Sequence, residues 1–257
     1  MCMIFGLSAR DKQLTNEYLR AFFKNSPQHP DGWGLADLNR SDAAIEKENT
    51  EAMMSHYLKE RLSAPIESRL LLAHIRYATI GNVEYRNCHP FTGKDQLGRR
   101  WTQVHNGTIF DYPALSKYVT LQQGDTDSER IFLYLLDRLN AAQAEKGGKL
   151  SFDERFELID GIVGEMAKGN KLNLLLCDGQ NLYAHTNCRD TLYYLEKDNA
   201  VWIATVPLSG ENWKPAPFTT LLAFRDGKLI RTGTNHGNEY IENPEQVKLL
   251  YQIFSGL

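Results

Sequence analysis

A cysteine at position 2 brings a thiol to the very start of this chain. Removal of Met1 would make Cys2 the first residue, with a thiol and a free α-amine on adjacent carbons. The thiol titrates near ~8.5 and an α-amine near ~8, whereas a lysine amine titrates near ~10.4. Such a chain end supplies both a soft nucleophile and a base tuned close to neutral pH. Taken alone, Cys2 reads as a small buried residue starting a strand. Four polar stretches downstream change that reading. They are His29-Pro30-Asp31-Gly32-Trp33-Gly34, Ala73-His74-Ile75-Arg76-Tyr77-Ala78-Thr79, Val104-His105-Asn106-Gly107-Thr108 and Gly124-Asp125-Thr126-Asp127-Ser128-Glu129.

The elements that must position these residues follow from local pattern. Met3 to Leu7 reads as a short buried strand, Leu14 to Phe23 as a helix, and Thr50 to Leu62 as a second helix. Arg69 to Tyr77 reads as a buried strand. His74 and Arg76 share one of its faces because they are two residues apart. Trp101 to His105 is a strand, and Asn106-Gly107 is a strong reversal signal after it. Thr126 to Glu129 has capping-box spacing before the stripe Ile131, Phe132, Leu135, Leu136 and Leu139. Ser151 to Glu154 repeats the signal before Phe152, Phe156, Ile159, Val163 and Met166, with Gly147-Gly148 as the loop between the two helices. Asp178-Gly179, Asp198-Asn199 and Asp226-Gly227 separate short apolar runs and read as hairpin turns. Strands at both ends with paired helices near the middle imply antiparallel sheets and helices in layers.

Together with Met1-Cys2, the four stretches resemble the class II glutamine amidotransferases, a family of N-terminal-nucleophile hydrolases. The resemblance runs in order from residue 2 to about residue 130, and the lengths fit a stand-alone domain of the YafJ type. It implies an α+β fold, a four-layer αββα sandwich of two antiparallel sheets, as one domain over residues 1–257. It implies that Cys2 is nucleophile and base, attacking the γ-carbonyl of glutamine to form a γ-glutamyl thioester. Asn106 and Gly107 match an oxyanion hole made of an amide side chain and a backbone N–H. Arg76 matches the residue that grips the substrate α-carboxylate through its guanidinium fork, and Asp127 the one that binds the α-ammonium. Tyr77 and Thr79 belong to the arginine's motif. Tyr77 stands where many synthetase-linked relatives carry Trp. Gly32 and Trp33 are expected to shape the pocket wall.

Composition narrows the alternatives. Of the 257 residues, 42% are apolar and 24% charged, ordinary for a globular protein. A net charge of −3, with Arg99-Arg100 as the only notable basic cluster, argues against a nucleic-acid partner. Apolar runs such as Leu172 to Cys177 are too short to cross a membrane. The four cysteines, at 2, 88, 177 and 188, form no CxxC pair. With no signal-like leader, they suit a reducing, cytoplasmic setting. No cofactor or metal motif is present, and His29, His74, His89 and His105 lack ligand spacing. A papain-type pair of Cys88 and His89 is disfavoured, since sequence neighbours point apart. The function expected is a hydrolase of glutamine or a larger γ-glutamyl compound, as in hydrolases of ergothioneine biosynthesis and subunits that degrade glutathione. The alternatives are a glutaminase subunit feeding ammonia to a synthetase partner, and a non-catalytic ligand-binding protein on the same scaffold.

Overall fold

The computed structural model describes residues 2–39, 44–243 and 245. One sheet is built from β1 (Met3–Leu14), β2 (Trp33–Asp37), β3 (Ala44–Glu48), β4 (Glu67–Ile75), β9 (Tyr193–Lys197), β10 (Ala200–Ala204) and β11 (Lys214–Pro215), in the order β11-β9-β10-β1-β4-β2-β3. The other contains β5 (Phe91–Lys94), β6 (Arg100–Thr108), β7 (Lys171–Cys177), β8 (Leu182–His185), β12 (Leu222–Arg225) and β13 (Lys228–Thr232), in the order β13-β12-β8-β7-β6-β5. Every pairing is antiparallel.

Strand alternation divides the apolar side chains among three layers of core. On β1, Met3, Phe5 and Leu7 join α1 (Asn16–Phe23) and α2 (His56–Ser63) in an outer core, with Trp33, Leu35 and Trp202. Ile4 faces the other way, into a middle core shared with Leu72, Val104, Leu175 and Ile203. Leu172, Leu174 and Leu176 face a third core under α3 (Asp127–Lys146) and α4 (Phe152–Met166). The result is the αββα sandwich. Each central strand is buried on both faces, which is why its sequence reads as a nearly continuous apolar run.

Several local readings shift, each for a physical reason. β1 continues to Leu14, because Gln13 and Leu14 pair with Ser68 and Glu67 after a register shift, so α1 begins only at Asn16. The segment from Thr50 to Leu62 is not one helix. A 3-10 turn at Ala52–Met54 stops at Ser55, whose side chain accepts from the Leu58 N–H at 2.9 Å and caps α2. Ser151 and Glu154 form a reciprocal capping box at α4. At α3 only half of one forms. Thr126 accepts from the Glu129 N–H, but the Glu129 carboxylate accepts instead from Gln123 and Gly124, both at 2.8 Å.

Asn106-Gly107 is no reversal. β6 runs on through Thr108, with Asn106, Gly107 and Thr108 opposite Asn173, Leu172 and Lys171. The glycine is there for close approach: a Cβ at Gly107 would stand 2.0 Å from the Lys171 carbonyl oxygen. The hairpin signals downstream do make turns. Asp198 and Asn199 both adopt left-handed φ, 52° and 55°, between β9 and β10.

Candidate active site

Alternation also decides what meets at one end of the sandwich. On β1 the face that carries Ile4 carries Cys2 two residues earlier. On β4 the face that carries Leu70 and Leu72 carries His74, followed by Arg76. On β6 Val104 is followed on its face by Asn106. A cross-sheet hydrogen bond locks these ends together: His74 Nε2 donates to the His105 carbonyl at 3.2 Å. Burial pushes His74 down to about 3, so it bridges as a neutral ring.

Cys2 is half-buried, and its sulfur sits against the Tyr77 backbone. Sγ accepts from the Tyr77 N–H and donates to the Tyr77 carbonyl, both at 3.3 Å. Burial raises the thiol above the ordinary cysteine range. The Tyr77 N–H and the Arg76 charge oppose that rise, and the Asp127 carboxylate adds to it. Met1 lies outside the described residues.

Arg76 is 3% exposed and clamped by backbone: its N–H donates to Gly32 O at 2.7 Å, and its carbonyl accepts from the Asp31 N–H at 3.1 Å. Nη2 donates to the carbonyls of Ile80 and Gly81 at 3.2 and 3.0 Å, while Nη1 is buried without a partner among the described residues. Asn106 is 2% exposed, and its Oδ1 is likewise buried without a partner among them. Buried polar atoms are nearly always satisfied, so the open Arg76 Nη1 donor and Asn106 Oδ1 acceptor stand out, as do the open ring nitrogens of the neighbouring His74, His89 and His105. Asp127, first residue of α3, accepts from the Ile109 N–H at 2.8 Å and from the Ser128 N–H at 2.9 Å, tying the helix N-terminus to the end of β6.

Residues 1–199 match the sequence model of the class-II glutamine amidotransferases. The chain belongs to that family. YafJ of Escherichia coli, named for the same family, is 31% identical over 209 residues, covering 80% of each chain. The gamma-glutamyl-hercynylcysteine sulfoxide hydrolase of Mycolicibacterium smegmatis is 25% identical, covering 85% of this chain and 88% of that one. The crystal structure of a predicted glutamine amidotransferase from Pseudomonas aeruginosa superimposes with a TM-score of 0.65 at 22% identity, over 90% of this chain and all of the other. That likeness is one of fold.

In this class-II glutamine amidotransferase Tyr77 and Thr79 are half-buried in the loop that follows Arg76. Gly32, with φ 136°, holds the Arg76 backbone, and a Cβ there would lie 2.6 Å from Cys88 Sγ. Trp33 is not brought to the cleft. It is wholly buried on the outer face of β2, edge-on to Phe23, and donates to Glu48 Oε2 at 3.0 Å. Strand parity puts it there, one residue out of phase with Gly34.

Sequence reasoning missed the residues that hold the Arg76 loop. Asp31 Oδ2 accepts from the Ala78 N–H at 2.7 Å. Asp125 accepts from the Asn82 backbone at 3.5 Å and from the side chain of Asn87, and its own N–H donates to Asn87 Oδ1 at 3.0 Å. Asp31 and Asp125 lie inside the quoted stretches and were findable there; Asn82 and Asn87 carry no local signal. Beside Asp127 a cleft of about 250 Å³ is lined by Phe110, Asp111, Tyr112 and Arg130. Two larger clefts, each about 300 Å³, flank the Gly179-Gln180 turn at the opposite end and include none of the expected site residues.

Proposed function

We propose that this chain is an amidohydrolase that cleaves the γ-amide of glutamine or of a larger γ-glutamyl compound through a Cys2 thioester. With Met1 removed, the α-amine of Cys2 takes the thiol proton and the sulfur attacks the γ-carbonyl carbon. The Asn106 amide and the Gly107 N–H hold the resulting oxyanion. The C–N bond then breaks, the α-ammonium returns its proton to the leaving amine, and water hydrolyses the thioester to glutamate and free Cys2. Arg76 Nη1 grips the substrate α-carboxylate and Asp127 its α-ammonium. The observation that carries this reading is the convergence of the Cys2 thiol, the open Arg76 Nη1 and the buried Asn106 side chain at one end of the sandwich. Four free thiols suit work in a reducing, cytoplasmic compartment.

A panel of glutamine, glutathione and other γ-glutamyl compounds, assayed for glutamate release, tests it. Wild type should cleave at least one, and Cys2→Ala should lose roughly a thousandfold or more of that activity. Undiminished activity in Cys2→Ala removes the mechanism. Cleavage that depends on a co-purifying synthetase overturns the stand-alone reading.

A further inference from the structure

A buried histidine and a half-buried one, His185 and His236, take no part in the mechanism above, yet they are joined ring to ring. His185, last residue of β8, lies opposite Leu174 of β7 and shares its face, the one that packs under α3 and α4. Residues 233–243 pass over that face as a strap, beyond the stretch 1–199 matched to the family. Backbone bonds lay it down. The Gly233 N–H donates to Leu221 O at 2.7 Å, the His236 N–H to Thr219 O at 3.0 Å and the Tyr240 N–H to Asn187 O at 2.7 Å. Against α4, the Thr234 N–H donates to Asp160 Oδ2 at 3.0 Å and the Asn238 side chain to Gly164 O at 2.9 Å. Nearer the candidate site, the Tyr240 ring stacks on Phe110 at 5.9 Å between centroids, next to Ile109, whose N–H donates to Asp127.

Three hydrogen bonds fix where the protons sit. The Leu172 carbonyl can only accept, so His185 Nδ1, 2.7 Å away, carries a proton. The Asn238 N–H donates to His236 Nδ1 at 3.1 Å, so that nitrogen carries none. The proton of His236 is therefore on Nε2, which donates to His185 Nε2 at 2.9 Å. Both rings are neutral in this arrangement, and the lone pair of each is taken. A further proton must displace an N–H: the Asn238 amide at His236 Nδ1, or the His236 ring at His185 Nε2. Around the pair, α4 brings the Asp160 carboxylate. Glu239 of the strap is engaged by Arg189 at 2.7 Å. β7 presents Leu172 and Leu174, and His105 of β6 lies on the same sheet face with Leu174 between it and His185.

We infer that the His185–His236 pair is a proton-operated latch, which holds the strap while both rings are neutral and releases it once either is protonated. Burial keeps both rings below the ordinary histidine range, so the closed strap resists the proton that the open one accepts. Asp160 works the other way, favouring a charged His236, and burial outweighs it. Release parts Tyr240 from Phe110 and uncovers the segment that runs from β6 towards the helix carrying Asp127. The latch is independent of which substrate the site takes.

Hydrogen–deuterium exchange of the full chain at pH 7 and pH 5, corrected for intrinsic rates, tests it, with β1 as the reference for global opening. Peptides spanning 233–243 should exchange faster than β1 at both pH values. Their protection should fall about tenfold from pH 7 to pH 5 in wild type, as one histidine near 6.5 in the open state takes up its proton. Asp160→Asn should keep that fall, since the carboxylate does not drive release. His185→Gln combined with His236→Gln should leave strap protection level. Should the double variant fail to fold, wild type and Asp160→Asn still decide. Level protection in wild type or in Asp160→Asn overturns the latch. So does a fall kept in the folded double variant, or a strap that exchanges only as fast as β1.

Discussion

Cys2 is pulled in two directions. Burial and Asp127 raise its thiol; the Tyr77 N–H and Arg76 work against them, and burial wins. Because the folded thiol titrates above the ordinary range, its reactive thiolate fraction grows as pH rises through a midpoint above that of free cysteine. Iodoacetamide alkylation of Cys2, followed by intact mass across a pH series, should show that midpoint. Arg76→Gln should move it higher and Asp127→Asn lower; movement in the opposite sense in either variant contradicts the placement of those charges. The proposed roles of Asn106 and Arg76 make a second prediction at this scale. Asn106→Ala should lower kcat by roughly a hundredfold to a thousandfold with little change in KM, since an oxyanion donor acts in the transition state. Arg76→Ala should act mainly on KM. Equal effects on both constants in both variants would remove the assigned roles.

At the scale of elements, the seam between β6 and β7 bears directly on the site, because it sets the positions of Asn106 and Gly107. A methyl group at Gly107 would collide with the Lys171 carbonyl at 2.0 Å and with His105 Nε2 at 2.6 Å. Gly107→Ala should cost about 1–3 kcal/mol of stability or more and lower turnover with it. Gly161 is the control. It lies exposed inside α4, and a Cβ there meets nothing within 4 Å, so Gly161→Ala should gain about 0.5–1 kcal/mol. Urea titration of both variants checks the pair, and a neutral Gly107→Ala would mean that the two strands separate freely.

Over the whole molecule, buried histidines tie stability to pH. His74, which bridges the sheets, and His185, which donates to the Leu172 carbonyl at 2.7 Å, are each pushed by burial down to about 3. His89 and His105 are lowered as well. As pH falls below about 6.5 the unfolded chain takes up protons at these rings before the folded one does, so stability declines steadily towards pH 3. Between pH 7 and 5 the loss should be about 2 kcal/mol for each of His74 and His185. Urea midpoints at pH 7 and pH 5 measure it; equal stability at the two would show that these rings are not held neutral.

Much of this protein was readable from residue order alone. Strand and helix periodicity marked the layers, because apolar side chains must face a core whatever else surrounds them. The joint order of Cys2, Arg76, Asn106-Gly107 and Asp127 marked a candidate site, because their donors, acceptors and charges suit the proposed amino-acid head. Local propensity failed where a distant neighbour outweighed it. Asn106-Gly107 is a turn signal that the pairing with β7 overrides, the Glu129 carboxylate leaves its capping box for Gln123 and Gly124, and Trp33 follows strand parity into the outer core. Asn82 and Asn87 gain their role only when Asp125 folds against them. Which buried atoms stay open is decided by how two sheets pack face to face. No single strand carries that information, because it depends on separations between residues a hundred or more positions apart in the chain.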